Sequence, residues 1–577
     1  MREIIAIIAA SYYYIFLSLF VFIVSYTGEV ATTPPAKIPV PEAKAGVAKG
    51  VFISGTPAGD AETLNWILAA DSASFGYAGH TQDSLATYDN EWRVQLRCAA
   101  KDVEVSEDGL VYTVTIRDDL KWSNGSKVTA EDYVYTLKNL MFSDWLNYTY
   151  KSDWQEGVDG KTVFVTPAVV NNTTFTVTRQ TVEPEFIYTV RTLTPYPKYI
   201  AAKYEGDIEA FTQAPEFNNL TYTGNLGPYK FGEWIRNDKF VLARNPEYYL
   251  GKDVGAPYFE QYIIKMFGTP ATCLAALEAG DITYAGIDPQ HVAKFKNMKQ
   301  INVYTVPTTG YLLLAYNHRN NGWEGFKHKE VRQALSMAVS KELLIEKVLF
   351  GFGEPAFSFI PKVSPWYVDK GLAKYGVESL LNKEKAKELL VKAGYGKPVK
   401  LTVVTNAGND TNENVCHLIK QELSAIGIDV ELKFVPWATE LRKYLMNKVP
   451  GTDQEIRYNN GPGAVSEEPW DLLVIIFSTS PLSPSGSDVF FATKGGLNFW
   501  GYSSAQVDEL FKRLKSKEAL DEGVRKELYA ELSRLVAEEQ PVNFLAFQLA
   551  TPGFQKNVKG IEPGINMGYN YHLWYFE

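Results

Sequence analysis

The residues able to carry out bond chemistry are few and scattered. The six histidines are His80, His291, His318, His328, His417 and His572, and none forms HExxH or another close metal-binding pair. Cys416 and His417 are adjacent, but neighbouring helix positions point about 100° apart and do not converge on one ion. The chain holds no GxSxG, no GxxxxGKS or GxxxxGKT and no GxGxxG. The sequence signatures of a nucleophile elbow, a P-loop and a dinucleotide fold are therefore missing. Acidic pairs such as Glu467-Glu468 and Glu538-Glu539 read most simply as solvated charges. Catalytic carboxylates need not be close in sequence, so the pattern leans towards binding without deciding it. No cofactor and no metal site are expected. Cys98, Cys273 and Cys416 are far apart and odd in number, which argues against a disulfide framework.

What the chain has in plenty is flat rings: aromatic residues make up 14% of it, with 12 Trp, 35 Tyr and 31 Phe. Rings fill cores, and they also line pockets in which they stack on sugars or clasp apolar side chains. A length of 577 residues with 46% hydrophobic and 21% charged residues describes a globular chain of two or three domains. The formal net charge is -10, with both signs interspersed and no basic tract. Nucleic acid is not an expected partner.

Ile4 to Tyr26 carry no charge and are mostly Ile, Ala, Tyr, Phe, Leu and Val, long enough for a membrane-spanning helix of roughly 20 residues. Two readings stand for residues 1–26, a cleaved signal and a retained anchor. No Leu-x-x-Cys motif and no clear Ala-x-Ala site follows, which favours the anchor. Both readings carry the rest of the chain across the membrane, to the cell surface or the periplasmic space. Residues 27–50 hold Pro34, Pro35, Pro39 and Pro41 and read as an extended, semi-rigid tether.

The elements that would position a site follow from periodicity and caps. Val103 to Arg117 alternates around Asp108-Gly109 and reads as a hairpin, and Asn124-Gly125 marks a tight turn. Thr129 with Asp132 predicts a capped helix start. Helices are expected over Ala271 to Ala279, His328 to Phe350 (one or a pair), Lys383 to Ala393 and Val415 to Ile426. Two more are expected over Val507 to Leu514, capped by Ser503 with Gln506, and Val524 to Glu539. Strands are expected at Leu401 to Thr405, Ile428 to Phe434, Leu472 to Phe477 and Val542 to Phe547. Alternating strands and helices in the second half imply α/β layers around a sheet.

Two stretches then carry a resemblance. "DSLATYD", followed by "VSEDGLVYTVTIRDDLKWSNGSKVTAEDYVYTL", is similar to the signature stretch of the family 5 extracellular solute-binding proteins, which serve ABC importers of oligopeptides, dipeptides, nickel and oligosaccharides. Further blocks keep the family order: "LGPYKFGEWIRNDKFVLARNPEYY", "ALEAGDITYAGI", "KAKELLVKAGY", "QELSAIGIDVELK" and "NFWGYSSAQVDELF". The resemblance implies a two-lobed α/β periplasmic-binding-protein-like fold with an extra hairpin-rich subdomain. It places lobe 1 at 51–310, with the subdomain at about 83–213, lobe 2 at 311–547, and a return to lobe 1 at 548–577. It implies a monomeric receptor that captures solute in a cleft and delivers it to ABC permease subunits.

In peptide-binding members an Asp after the strand equivalent to Leu472–Phe477 neutralises the peptide amine. Ser480 stands there in this sequence, and Asp488 lies eight residues beyond. A free amine desolvated without a counter-charge is costly, so a neutral oligosaccharide is the expected solute and an oligopeptide the alternative. The residues expected to line the site are Trp66, Asn317, Trp366, Trp437, Phe477, Ser480, Asn498, Phe499 and Trp500. Rings would face a pyranose and amides would bond its hydroxyls. A secreted hydrolase or a sensor ectodomain is the rival class. Six glycosylation sequons start at Asn124, Asn147, Asn171, Asn172, Asn219 and Asn409, several of which chance would supply in a chain this long.

Overall fold

In the computed structural model the described residues are 50–57, 59–369, 372, 381–436, 440–445, 447–448, 455–456 and 465–577. Ile4 to Tyr26, the linker as far as residue 49, and Trp437 lie outside them. Among the described residues no helix is long and apolar enough to cross a membrane. The chain divides into two compact units. One runs to Val306 and resumes at Ala550–Glu577, and the other is Pro307–Leu549.

Unit 1 is built on a seven-stranded sheet. Its strands are β1 (Val51–Thr56), β2 (Tyr229–Ile235), β3 (Lys239–Arg244), β4 (Gln261–Met266), β5 (Tyr284–Gly286), β6 (Ile301–Val303) and the C-terminal Pro552–Gln555. The order is β2-β3-β4-β1-β5, then Pro552–Gln555, then β6. β1 runs parallel to β4 and β5. Phe52 of β1 packs on Tyr262, Phe554 and Trp574 at ring distances of 4.9, 6.5 and 5.9 Å. The first strand and the last residues therefore share one core.

The segment between β1 and β2 carries a four-stranded antiparallel sheet of Glu104–Val105, Val111–Thr115, Thr174–Thr178 and Thr166–Asn171. The expected hairpin is present, turning at Gly109 with φ 74°. So is the turn at Gly125, whose N–H donates to the Trp122 carbonyl at 2.8 Å. The Thr129–Asp132 capping box opens the helix Ala130–Tyr135, with Asp132 Oδ2 accepting from the Thr129 N–H at 2.9 Å.

Unit 2 holds a six-stranded sheet of β7 (Val306–Tyr316), β8 (Gly353–Pro355), β9 (Val399–Asn406), β10 (Ile428–Val435), β11 (Leu472–Ser478) and β12 (Val542–Ala550), in the order β8-β12-β7-β11-β9-β10. β9 is parallel to β10 and β11, while β7 is antiparallel to β11. Leu472 to Phe477 are each at most 1% exposed, the continuous apolar run of a strand covered on both faces. The helices at 329–338, 341–347, 383–392 and 522–539 fall where periodicity placed them.

Two caps differ from expectation. The helix expected from Val415 spans Asp410–Ser424, because Asn409 accepts from the Asn412 N–H and starts it earlier. Ser504, not Ser503, caps the helix Ala505–Leu514. Ser503 instead bonds the Thr493 hydroxyl at 2.9 Å.

β12 is tied to β7 at its start by His318, whose Nε2 lies 2.8 Å from the Pro541 carbonyl. That carbonyl can only accept, so Nε2 carries the proton of a neutral ring. Burial, with the Arg332 charge added, pushes the His318 pKa from 6.5 down to about 3 against the pull of the carbonyl bond. Burial alone does the same to His80. The unfolded chain takes up this proton as pH falls through 6.5 while the folded chain does not. The associated stability is complete above that pH and is lost as pH falls towards 3. His318→Gln, which keeps a donor for Pro541, is expected to remove about 2 kcal/mol of acid sensitivity at about pH 5. The check is a flatter plot of Tm against pH on the acid side than in the unsubstituted protein.

Candidate functional site

In open α/β sheets the backbone groups at the carboxyl ends of parallel strands face outward, and ligands settle there. In unit 2 that edge holds Asn406, Val435 and Ser478, the last residues of β9, β10 and β11. Ser478 pairs with Gly310 of the antiparallel β7, and Gln548 of β12, on the other side of β7, lies beside Gly310. The Thr308 hydroxyl donates to the Gln548 carbonyl at 2.9 Å and accepts from the Gly310 N–H at 3.1 Å.

Gly310 is a buried residue in the interior of a strand. A Cβ placed on it would sit 3.5 Å from Thr308 Oγ1 and 3.8 Å from both Gln548 Oε1 and Ile476. These are ordinary contacts, and Gly310 is not in the left-handed region. Neither packing nor backbone therefore demands glycine. The missing side chain instead leaves room beside Gln548 Oε1, which, like Ser478 Oγ of the strand partner, is a buried polar atom with no hydrogen bond among the described residues. A glycine of this kind inside a strand marks close approach by a ligand or another backbone.

The loop after β11 is held from several sides. Thr479 and Ser487 share a hydroxyl bond of 2.9 Å, and the Ser485 N–H donates to Tyr529 at 2.8 Å. Ser364 donates to the Pro481 carbonyl, and Trp366 Nε1 to that of Leu482 at 3.0 Å. Ser480 is half-buried; its oxygen accepts from Leu482 N–H, Ser483 N–H and Ser483 Oγ at 3.4, 3.1 and 3.1 Å. Its own proton is left to donate. Asp488 is paired with Lys515 at 2.6 Å, so its charge is already countered.

The corresponding edge of unit 1 follows β1, β4 and β5. In the loop after β1, Asp60 accepts from Trp234 Nε1 at 2.9 Å and the Asn237 N–H at 3.0 Å, and pairs with Arg236 at 3.2 Å. Farther along, Asn65 Oδ1 accepts from the Tyr196 hydroxyl at 3.1 Å, and the Trp66 ring lies 5.8 Å from that of Tyr196. Asn65 Nδ2 and Trp66 Nε1 are buried donors without partners.

Most of the residues expected to line the site turn out to be core. Asn317 is 0% exposed and spends its amide on the Trp470 carbonyl at 2.8 Å and the Arg319 N–H at 3.1 Å. Asn498, also 0% exposed, bonds the carbonyls of Ala492 and Tyr502 and the Tyr502 N–H. Both amides are buried and engaged within the protein, Asn317 also donating to Asn321 Oδ1 at 3.4 Å. Trp366 is closed over by Tyr529 and the Arg525 guanidinium. Phe477, Phe499 and Trp500 belong to one buried ring cluster with Phe490 and Phe491. Trp66 and Ser480 retain polar groups suited to a ligand, and Trp437 lies outside the described residues. Gly310, Ser478, Gln548 and Asn65 were missed. The one available signal was Gly310, a glycine breaking the apolar strand before Tyr311 to Tyr316.

The family described as "Bacterial extracellular solute-binding proteins, family 5 Middle" matches residues 94–495. The oligopeptide-binding protein AppA of Bacillus subtilis is 28% identical over 537 residues, covering 89% of this chain and 88% of that protein. Among solved structures, the ABC transporter substrate binding protein CtaP of Listeria monocytogenes superposes with a TM-score of 0.76 at 22% identity, covering 92% of this chain and 99% of that one. B. subtilis AppA in complex with a nonapeptide gives 0.69 at 23% identity, with 92% and 99% covered. These two likenesses show the fold, that of the two-lobed periplasmic binding proteins. With the family match spanning most of its length, the chain belongs to the family 5 extracellular solute-binding proteins.

Proposed function

We propose that the chain is the solute-capturing receptor of an ABC importer and that its solute is an oligopeptide gripped through its main chain. The observation that carries this reading is the neutral polar atoms that are unpaired among the described residues, at the carboxyl edge of the unit 2 sheet and in the segment after β1 of unit 1. Ser478 Oγ and Gln548 Oε1 stand beside Gly310 in one unit, and Asn65 Nδ2 and Trp66 Nε1 in the other. An extended peptide offers alternating N–H and C=O groups that match such donors and acceptors. The relative named above as oligopeptide-binding supports the same class. The oligosaccharide expectation has lost most of its residues, since Asn317, Asn498, Trp366, Phe477, Phe499 and Trp500 are committed to the core.

A receptor of this kind performs no bond chemistry. It needs solute contacts that are better in one arrangement of its units than in the other, because only differential affinity shifts that equilibrium. In this reading the chain acts outside the cytoplasm as a monomer, held or exported by residues 1–26, and passes its solute to membrane permease subunits.

Thermal-shift and calorimetric titration against short peptides, and against cello-, manno-, malto- and chito-oligosaccharides, tests the solute class. Peptides are expected to stabilise the fold, by about 2.7 kcal/mol at 100 times the dissociation constant. Stabilisation by oligosaccharides alone would sink the peptide reading. With Ser480 in the position of the amine-binding Asp and Asp488 paired with Lys515, this loop offers the peptide amine no counter-charge. N-acetylated and free-amine forms of one peptide are therefore expected to bind within about threefold of each other, well under 1.4 kcal/mol.

Gly310→Val puts methyl groups against Ser478 Oγ and Gln548 Oε1. Peptide affinity is expected to fall at least about tenfold, or 1.4 kcal/mol, with Tm lowered by only a few degrees. An unchanged dissociation constant would remove this position from the site.

A further inference from the structure

The asparagines of the chain divide unevenly. Seven lie between residues 124 and 219, and five of them (Asn124, Asn147, Asn171, Asn172 and Asn219) head an N-x-S or N-x-T sequon. Of the 23 elsewhere only Asn409 does so. At that outside rate, seven asparagines would be expected to yield none.

The structure separates the two kinds of asparagine in a second way. All five sequon residues of this stretch are exposed, and among the described residues none of their Nδ2 atoms donates a hydrogen bond. The two neighbours that head no sequon do use theirs: Asn139 donates to Glu205 at 2.8 Å and Asn218 to Gln213 at 3.4 Å. Asn409 is different again, half-buried and serving as a helix cap.

Four of the five also sit where the backbone turns; Asn147 lies in an irregular segment. Asn124 lies in the turn closed on Trp122, with its Oδ1 turned back to accept from Ser126 N–H at 2.9 Å. Asn171 and Asn172 lie at the hairpin between Thr166–Asn171 and Thr174–Thr178, where Asn171 Oδ1 accepts from Thr173 N–H at 2.9 Å. Asn219 ends the helical turn Pro215–Asn218. The Asn172 carbonyl accepts from the Ala130 N–H at 2.8 Å, and Ser123 donates to the Thr223 carbonyl at 2.7 Å. Asn124 and Asn172 thus flank the start of one helix, with Asn219 on an adjoining segment. In each case the residue is exposed and, among the described residues, its Nδ2 is not engaged in a hydrogen bond, as an enzyme that modifies it requires.

We propose that this stretch of unit 1 carries N-linked glycans at Asn124, Asn147, Asn219 and one of the adjacent pair Asn171 and Asn172, while Asn409 carries none. In the transfer, Asn Nδ2 bonds to the anomeric carbon of an oligosaccharide carried on a polyprenyl phosphate or diphosphate. The anomeric C–O bond breaks, the lipid carrier leaves with its phosphate, and the amide proton passes to a base of the transferring enzyme. The proposal rests on export of the chain, so the protein is taken from the washed membrane and surface fraction of the host that encodes it. Presence there verifies export independently of any glycan.

The test is glycopeptide mass spectrometry on that full-length protein. Sugar is expected on at least three of the four positions, with the Asn409 peptide at its bare mass. Sugar on two positions or fewer, or on Asn409, overturns the proposal. Asn124→Gln, Asn147→Gln and Asn219→Gln should each remove one glycan's mass from the native-host protein, and Asn139→Gln none. Equal masses throughout, in protein still recovered from the surface fraction, would refute glycosylation and leave the receptor reading standing.

Discussion

Unit 2 depends on one constraint: the chain enters it on β7 and leaves it on β12, and these strands are neighbours in one sheet. They are stitched at both ends, by Thr308 to the Gln548 carbonyl and by His318 to the Pro541 carbonyl. Leaving unit 2 beside its entry lets Pro552–Gln555 resume the unit 1 sheet at once and bring Phe554 and Trp574 onto Phe52. The constraint also bears on function. Gly310 and Gln548, beside the polar atoms of the proposed site, lie within a few residues of the two crossings.

Much of the fold was legible because its signals are local. The capping box at Thr129 and Asp132, the hairpin turn at Gly109 and the glycine stops at Gly280 and Gly394 each need only a few residues to specify them. Local reading failed where one residue type serves two purposes. Asn409 reads as a sequon, yet its side chain opens a helix five residues before the apolar periodicity begins. The site was far less legible. Whether Asn317 faces solvent or core is decided by Trp470, 153 positions away, and Trp366 by Leu482, 116 away. Composition shows that rings are abundant, but only tertiary packing shows which remain reachable.

The charged groups near the candidate edges are already spoken for. Asp60 is spent on Arg236, Trp234 and Asn237, and Asp488 on Lys515. Farther into unit 2, Lys341 is buried, its pKa pushed down to about 7, and it donates to Asn543 Oδ1 and the Phe544 carbonyl. His80 and His318 are neutral struts rather than groups poised to exchange protons near neutral pH. Among the described residues, the unpaired polar atoms at the unit 2 edge are neutral.

That neutrality indicates where binding energy would come from. A buried donor or acceptor without a partner costs about 1–3 kcal/mol. Among the described residues of unit 2, Ser478 Oγ and Gln548 Oε1 are two such atoms. A solute that satisfies them recovers a penalty the free protein already carries, in addition to whatever apolar surface it buries. Main-chain groups recur identically along any peptide, so affinity drawn from them is largely indifferent to side-chain sequence.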